Sequence, residues 1–318
     1  MLPADRFGRC PSGKIVNDLV WLAAERVGMD TNILAQAIIS GLLMGGVYAL
    51  VAVSLNLIFG VMKIINFAHG AFMMLGMYFT YWVSIFLDIH PYFSLLISMC
   101  ALFVVGFLIQ YGLINRIIEG PEHNQLLLTL GIALFLENLA LFLWSPNYRM
   151  LQVTTLAGAM HIHKLMFSTP RMIAFGAALT MTLLLYLFLT KTDSGKAIRA
   201  ISQDREGAHV IGIHRKIIYS VAFGIGAACV AAAGTMITPF FYITPTVGMV
   251  FVITAFVIVV LGGLGSFWGA FFGALIVGIA ESLGEVLLPG SLKQVPIYSI
   301  FILTLLLRPK GLFGKKHV

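Results

Sequence analysis

TKTDSGKAIRAISQDREGAHVIGIHRK, residues 190–216, is the one long, strongly charged stretch after residue 30, and it lies between two long apolar runs. Lys191, Lys196, Arg199, Arg205, Arg215 and Lys216 stand there against Asp193, Asp204 and Glu206. Basic residues in short loops are retained on the cytoplasmic side of a membrane. The stretch therefore reads as a cytoplasmic loop of a polytopic membrane protein, and its side sets the side of every other loop. Ala197, Ala200, Ile201, Ala208, Ile211 and Ile213 are interleaved with the charges, and Gly195, Gly207 and Gly212 punctuate them. That pattern predicts one or two short amphipathic helices at the membrane surface, broken near Gly207. Small apolar faces suit a partner's groove better than lipid, which draws large residues; a solvated connector is the alternative.

Composition agrees with a membrane location. Of 318 residues, 59% are hydrophobic and only 10% charged, and the mean hydropathy is +0.97. Water-soluble domains carry about 25% charged residues, so this much apolar surface has to face lipid. The net charge of +7 sits beside apolar spans and at the C-terminus, as orientation signals do, which argues against nucleic acid as a partner. Cys10, Cys100 and Cys229 are scattered singly, which fits packing and neither a disulfide framework nor a metal site.

Residues 1–32 form a polar extension with Arg6, Arg9, Lys14 and Arg26 and no signal-peptide pattern. From Ile33 to Leu87 the chain is almost continuously apolar, interrupted by Lys63 and His69. At about 1.5 Å per residue this run is roughly 80 Å long, against a hydrocarbon thickness of roughly 30 Å. It must cross twice, bending at Lys63–Gly70. Further spans are predicted at about 93–114, 125–144, 171–190, 217–237, 247–264, 268–288 and 294–307. The expectation is an all-α polytopic membrane protein of eight to nine transmembrane helices over 33–308, with a cytoplasmic loop 191–216 and a basic tail 309–318. Four crossings separate loop and tail, so both are cytoplasmic; counting backwards puts Lys63 and 115–124 inside, 88–92 and 145–170 outside, and the N-terminus outside. The last placement conflicts with the basic extension unless Met29 is the natural start. Gly41/Gly45 and Gly269/Gly273 are small-xxx-small pairs that allow close helix approach. Trp144, Tyr148, Tyr242 and Trp268 fall near span ends, as interfacial aromatics do.

Enzyme signatures are missing. Ser194-Gly195-Lys196-Ala197 lacks the first glycine and the Ser/Thr of a nucleotide-binding P-loop, and no H-E-x-x-H or G-x-S-x-G occurs. Polar residues inside spans are costly in lipid and normally face protein or a watery pathway. Asn56, Asn66, His69, Glu137, Asn138 and Thr254 are therefore the translocation-pathway candidates. Three have a structural alternative: a hydrogen-bonded carboxyl for Glu137, and capping of the bend for Asn66 and His69. Glu281 and Glu285, one turn apart, belong either to an entry vestibule or to a solvated helix end.

Several stretches together resemble the membrane permease subunits of branched-chain amino acid (Liv-type) ABC transporters. They are GLLMGGVYAL at 41–50, GVMKIINFAHG at 60–70, GKAIRA at 195–200, LGGLGS at 261–266, GIAE at 278–281 and RPKGL at 308–312. The extension before Met29 and Ala71, where relatives often carry Glu, depart from the pattern. The resemblance implies ABC importer permease architecture and a heterodimer with a second, homologous permease. It further implies two cytoplasmic ATPase subunits that hydrolyse the ATP, a soluble binding protein outside, and no cofactor in this chain. Gly195, Arg199, Ala200, Asp204, Ala208 and Gly212 match the family's ATPase-coupling segment. The cargo implied is a branched-chain or other apolar amino acid, with urea, amides or aromatic acids as alternatives. An ion-coupled secondary carrier or a passive channel is the rival class, and the expected site is the inner membrane with the C-terminus cytoplasmic.

Overall fold

The computed structural model describes residues 31–118, 120–151, 158–162 and 165–314. The extension with Met29, and Lys315 and Lys316 of the tail, lie outside the described residues. Among the described residues the chain is mainly helical, with one β-hairpin. In order come α1 (Thr31–Met62), α2 (Ala68–Leu87), α3 (Leu95–Gly112) and α4 (Glu122–Trp144). The antiparallel hairpin β1 (Ala159–Ile162) and β2 (Leu165–Ser168) precedes α5 (Thr169–Lys191). Then follow α6 (Asp193–Gln203), α7 (Arg205–Val210), α8 (Arg215–Ile237), α9 (Val247–Gly262), α10 (Phe267–Leu287) and α11 (Val295–Leu307). Among the described residues, seven helices are long and apolar enough to span a membrane, and α9 and α11 are shorter apolar helices. The hairpin, in what reads as a plain loop, is one element that apolar periodicity did not reveal.

The interior is built on small residues. Lipid is as apolar as leucine, so helices in it associate by close van der Waals packing. A Cβ on Gly41 would stand 2.6 Å from the Gly278 carbonyl oxygen, and one on Gly45 would stand 3.0 Å from Leu275 Cα. The first expected glycine pair thus seats α1 backbone to backbone on α10. Gly273, of the second pair, meets α9 instead, with Ile258 O 3.2 Å from the site of its missing Cβ. The alanine- and glycine-rich α8 is the central post: its window is 78% buried, against 22% for α3 and α4 and 28% for α5. Gly76 of α2 allows Ala231 of α8 to approach, a Cβ there standing 2.6 Å from Ala231 Cα, and Thr80 and Thr235 bond across that seam at 2.8 Å.

The bend after α1 encloses Asn66 and His69 while Lys63 and Ile65 stay exposed. Lys63 takes a positive φ of 56° to stop α1. The three-residue spacing of Asn66 and His69 would put them on one helical face, but Asn66 precedes α2 and its Oδ1 accepts the Ala68 N–H at 3.1 Å. His69 Nε2 lies 3.1 Å from Ser54 Oγ and 3.2 Å from Val51 O, tying the start of α2 back to α1. Neither residue has any exposed surface.

Contacts sort the loops into two ends. At one, Arg205 donates to Met62 O at 2.6 Å, and Asn56 Nδ2 and Oδ1 hold Ser266 O and Gly265 N, each at 2.7 Å. The tail joins them, with Leu312 N bonded to Leu261 O at 2.8 Å. At the other, Gln36 bonds Met166 O at 2.6 Å, Tyr92 bonds Pro170 O at 3.1 Å, and Arg149 pairs with Ile243. This is the grouping that the crossing count predicts.

Two outcomes follow. Gly278→Leu drives a side chain into the α1 backbone, and overpacking of about 1–3 kcal/mol or more lowers the unfolding temperature in detergent well below that of Ile276→Leu on the same helix. His69→Ala removes the α1–α2 tie at a cost of about 2 kcal/mol, with transport falling in step with folded protein; transport loss at wild-type stability would refute that role.

Candidate functional site

The charged segment is shaped from within. Thr192 Oγ1 accepts the Gly195 N–H at 3.0 Å and starts α6. Gly195 is buried under α5, where a Cβ would stand 2.7 Å from Leu189 Cα. Ile198 and Ile201 turn inward, while Arg199 stays exposed and reaches Thr190 O at 3.3 Å. The helix breaks at Asp204 and not at Gly207, because the Asp204 carboxylate accepts the Glu206 N–H at 3.0 Å and caps α7. Gly207 then lies inside α7, over Asp204.

One register follows from that cap. It turns Ala208 inward to 3% exposure and leaves Val210 and Ile211 at 86% and 73%. Gly212, at φ +87°, reverses the chain after them. Ala208 packs on its own chain, Ala200 is half-buried, and the outward apolar tip is Val210–Ile211. An adjacent pair of large aliphatics in a polar loop was the available signal.

The intramembrane candidates divide. Asn56 clamps the glycine turn between α9 and α10, and Asn66 and His69 close the bend. Thr254, 8% exposed, donates to Val250 O of its own helix at 3.1 Å. None of these four faces a free surface. Glu137 and Asn138 do: Glu137 is half-buried, and exposed Asn138 donates to Leu134 O of its own turn at 2.8 Å. Among the described residues no other helix supplies either one with a hydrogen bond. Leu134, Phe135, Phe142 and Leu143 surround them on the outward side of α4.

Sequence reading missed two polar pairings. Tyr48 Oη donates to Glu281 at 2.7 Å, and its ring lies 6.1 Å from Phe251. Asn115 receives Gln110 at 3.0 Å and donates to Ser220 at 3.2 Å and Lys216 O at 3.1 Å, pinning the end of α3 to α8. Glu281 stood out, with Glu285, on an otherwise apolar helix; nothing in the sequence named its partner. Among the described residues no three of His, Cys, Asp and Glu converge as a metal-binding set.

Known proteins resemble the chain along nearly its whole length. Residues 37–307 match the family described as the permease component of branched-chain amino acid transport systems. The chain is 29% identical over 298 residues to the high-affinity branched-chain amino acid transport system permease protein BraD of Pseudomonas aeruginosa, covering 89% of this chain and 96% of that one. It is 30% identical over 298 residues to the corresponding LivH of Escherichia coli K12, with the same coverage of 89% and 96%. Among solved structures, PsaBC from Streptococcus pneumoniae in complex with Fab aligns over 93% of this chain and 97% of its own, with a TM-score of 0.45 and 14% identity. The chain belongs to the branched-chain amino acid transport permease family, and is a membrane-spanning transport component, not an enzyme.

Proposed function

We propose that this chain forms half of the translocation pathway of an ATP-driven importer for branched-chain or other apolar amino acids, placed in the inner membrane with the 190–216 end cytoplasmic. The family match across 37–307 carries this reading. A second permease covers α4, two ATPase subunits dock at α6–α7 and hydrolyse the ATP, and a soluble binding protein delivers the solute from the other end.

In this reading Val210–Ile211 is the anchor in an ATPase cleft, and Gly195, Arg199, Ala200, Asp204, Ala208 and Gly212 hold the segment in shape. Closure of the ATPases displaces α7, whose Arg205 is bonded to the last turn of α1. Asn56, on that same part of α1, grips the turn that leads into α10. Three short bonds thus link the docking tip to three spanning elements, which supports alternating packings of the bundle driven from one end. Glu137 and Asn138 line the pathway or its seam with the second permease, where a carboxylate and an amide find partners that lipid lacks.

Ile211→Asp replaces a buried aliphatic contact, worth about 1.5–3 kcal/mol, with a charge. ATPase copurification then drops by about tenfold or more while membrane insertion stays intact. Lys196→Ala on the neighbouring helix should leave it near wild type. In proteoliposomes the chain moves no solute without its ATPases and ATP; uptake driven by an ion gradient through this chain alone would establish the carrier class in its place.

A further inference from the structure

Beside the docking tip, at the same end of the bundle, lies a cavity of about 740 Å³. Lys63 at the end of α1, Arg205 and His209 on α7, and His214, Arg215 and Lys216 at the start of α8 line it. Among the described lining residues there is no carboxylate, and the one ion pair formed in the described chain, Lys196–Asp193, lies elsewhere. The start of α8 adds to the positive field, since His214 supplies no side-chain cap to the first turn of that 23-residue helix. Four full cations gathered in one concavity with no carboxylate among its described lining residues call for an anion.

The rim identifies which kind. Tyr111, at the end of α3, and Ile217, in the first turn of α8, also line the cavity and are 56% and 49% exposed. Above Tyr111 the exposed residues Leu108 and Val104 continue at helical spacing, so an apolar stripe runs from the cavity mouth along the lipid-facing side of α3. A cationic recess that opens onto such a stripe matches a molecule with an anionic head and aliphatic tails. We propose that this cavity binds the phosphate of an anionic phospholipid headgroup, with the acyl chains lying along the Val104–Leu108–Tyr111 face. Free inorganic phosphate shares the headgroup's charge chemistry but gains nothing from the stripe.

The test uses the full-length chain purified in mild detergent. Dioleoyl phosphatidylglycerol, dioleoyl phosphatidylcholine or inorganic phosphate is added, bound lipid is counted by native mass spectrometry, and the unfolding temperature is followed in parallel. Phosphatidylglycerol should be retained and should raise the unfolding temperature, and phosphatidylcholine should do neither. Arg215→Gln with Lys216→Gln should weaken retention by about 25-fold, roughly fivefold per cation removed. Lys191→Gln with Lys196→Gln, an equal charge change outside the cavity, should leave it unchanged. If the first double variant fails to fold, Lys63→Gln alone carries the test with an expected fivefold loss. Equal retention of both lipids, or equal losses in the two charge pairs, overturns the site. Stabilisation by inorganic phosphate that matches phosphatidylglycerol overturns the lipid as its source.

Discussion

Hydrocarbon offers a buried N–H, carbonyl, amide or carboxylate no partner, and offers two apolar helices no reason to leave lipid for each other. The architecture answers both conditions together. Glycines at 41, 45 and 278 let α1 and α10 approach until backbone meets backbone, which replaces the missing hydrophobic drive with dense packing. At such close approach, polar side chains of one helix can reach the backbone of another. Asn56 therefore reaches Gly265 and Ser266, and His69 reaches Val51. An unmet polar group in lipid costs several kcal/mol, so each of these contacts also selects one register of the helices it joins.

The same condition explains how motion at one end would reach the rest. The turn after α9 has Gly263 at φ +101° and Gly265 at φ +82°, conformations that leave its backbone groups without regular helical partners. Asn56 supplies two of the missing bonds, and the tail residues Leu312 and Phe313 supply two more, at 2.8 and 3.1 Å. The turn is thus held rigidly to α1 and to the end of the chain. A displacement of α1 through Arg205 then moves the turn with it, which makes a stiff linkage more consistent with these contacts than a flexible glycine hinge.

Span positions were readable because each rests on a local property, the length of an apolar run against the thickness of the membrane. Each of the nine apolar segments corresponds to a helix, with α9 stopping at Gly262, two residues short of expectation, where Gly263 adopts a positive φ. Partnerships were not readable in the same way. Tyr48 and Glu281 are 233 residues apart, and Asn56 and Gly265 are 209 apart. No spacing rule connects such pairs; only the docking of α1 on α10 does. The coupling segment falls between these cases. Its two short helices were legible from alternating charge, but their register depended on whether Asp204 or Gly207 broke them. That choice decides whether Ala208 or the Val210–Ile211 pair points outward.

What the bundle leaves unsatisfied is as informative as what it satisfies. Asn56 and Thr254 are hydrogen-bonded inside the chain, whereas Asn66 and His69 are bonded through Oδ1 and Nε2 alone and keep Asn66 Nδ2 and His69 Nδ1 buried without a partner among the described residues. Glu137 and Asn138 are not bonded to another helix among the described residues, and they sit on α4, whose window is only 22% buried. A carboxylate beside an amide in the body of such a span, facing away from its own bundle, is stable against lipid only at a large penalty. In the proposed assembly the outward side of α4 therefore lies against protein or a water-filled path. A second permease would supply both at one seam, and the unfinished face of this chain would then lie along the pathway.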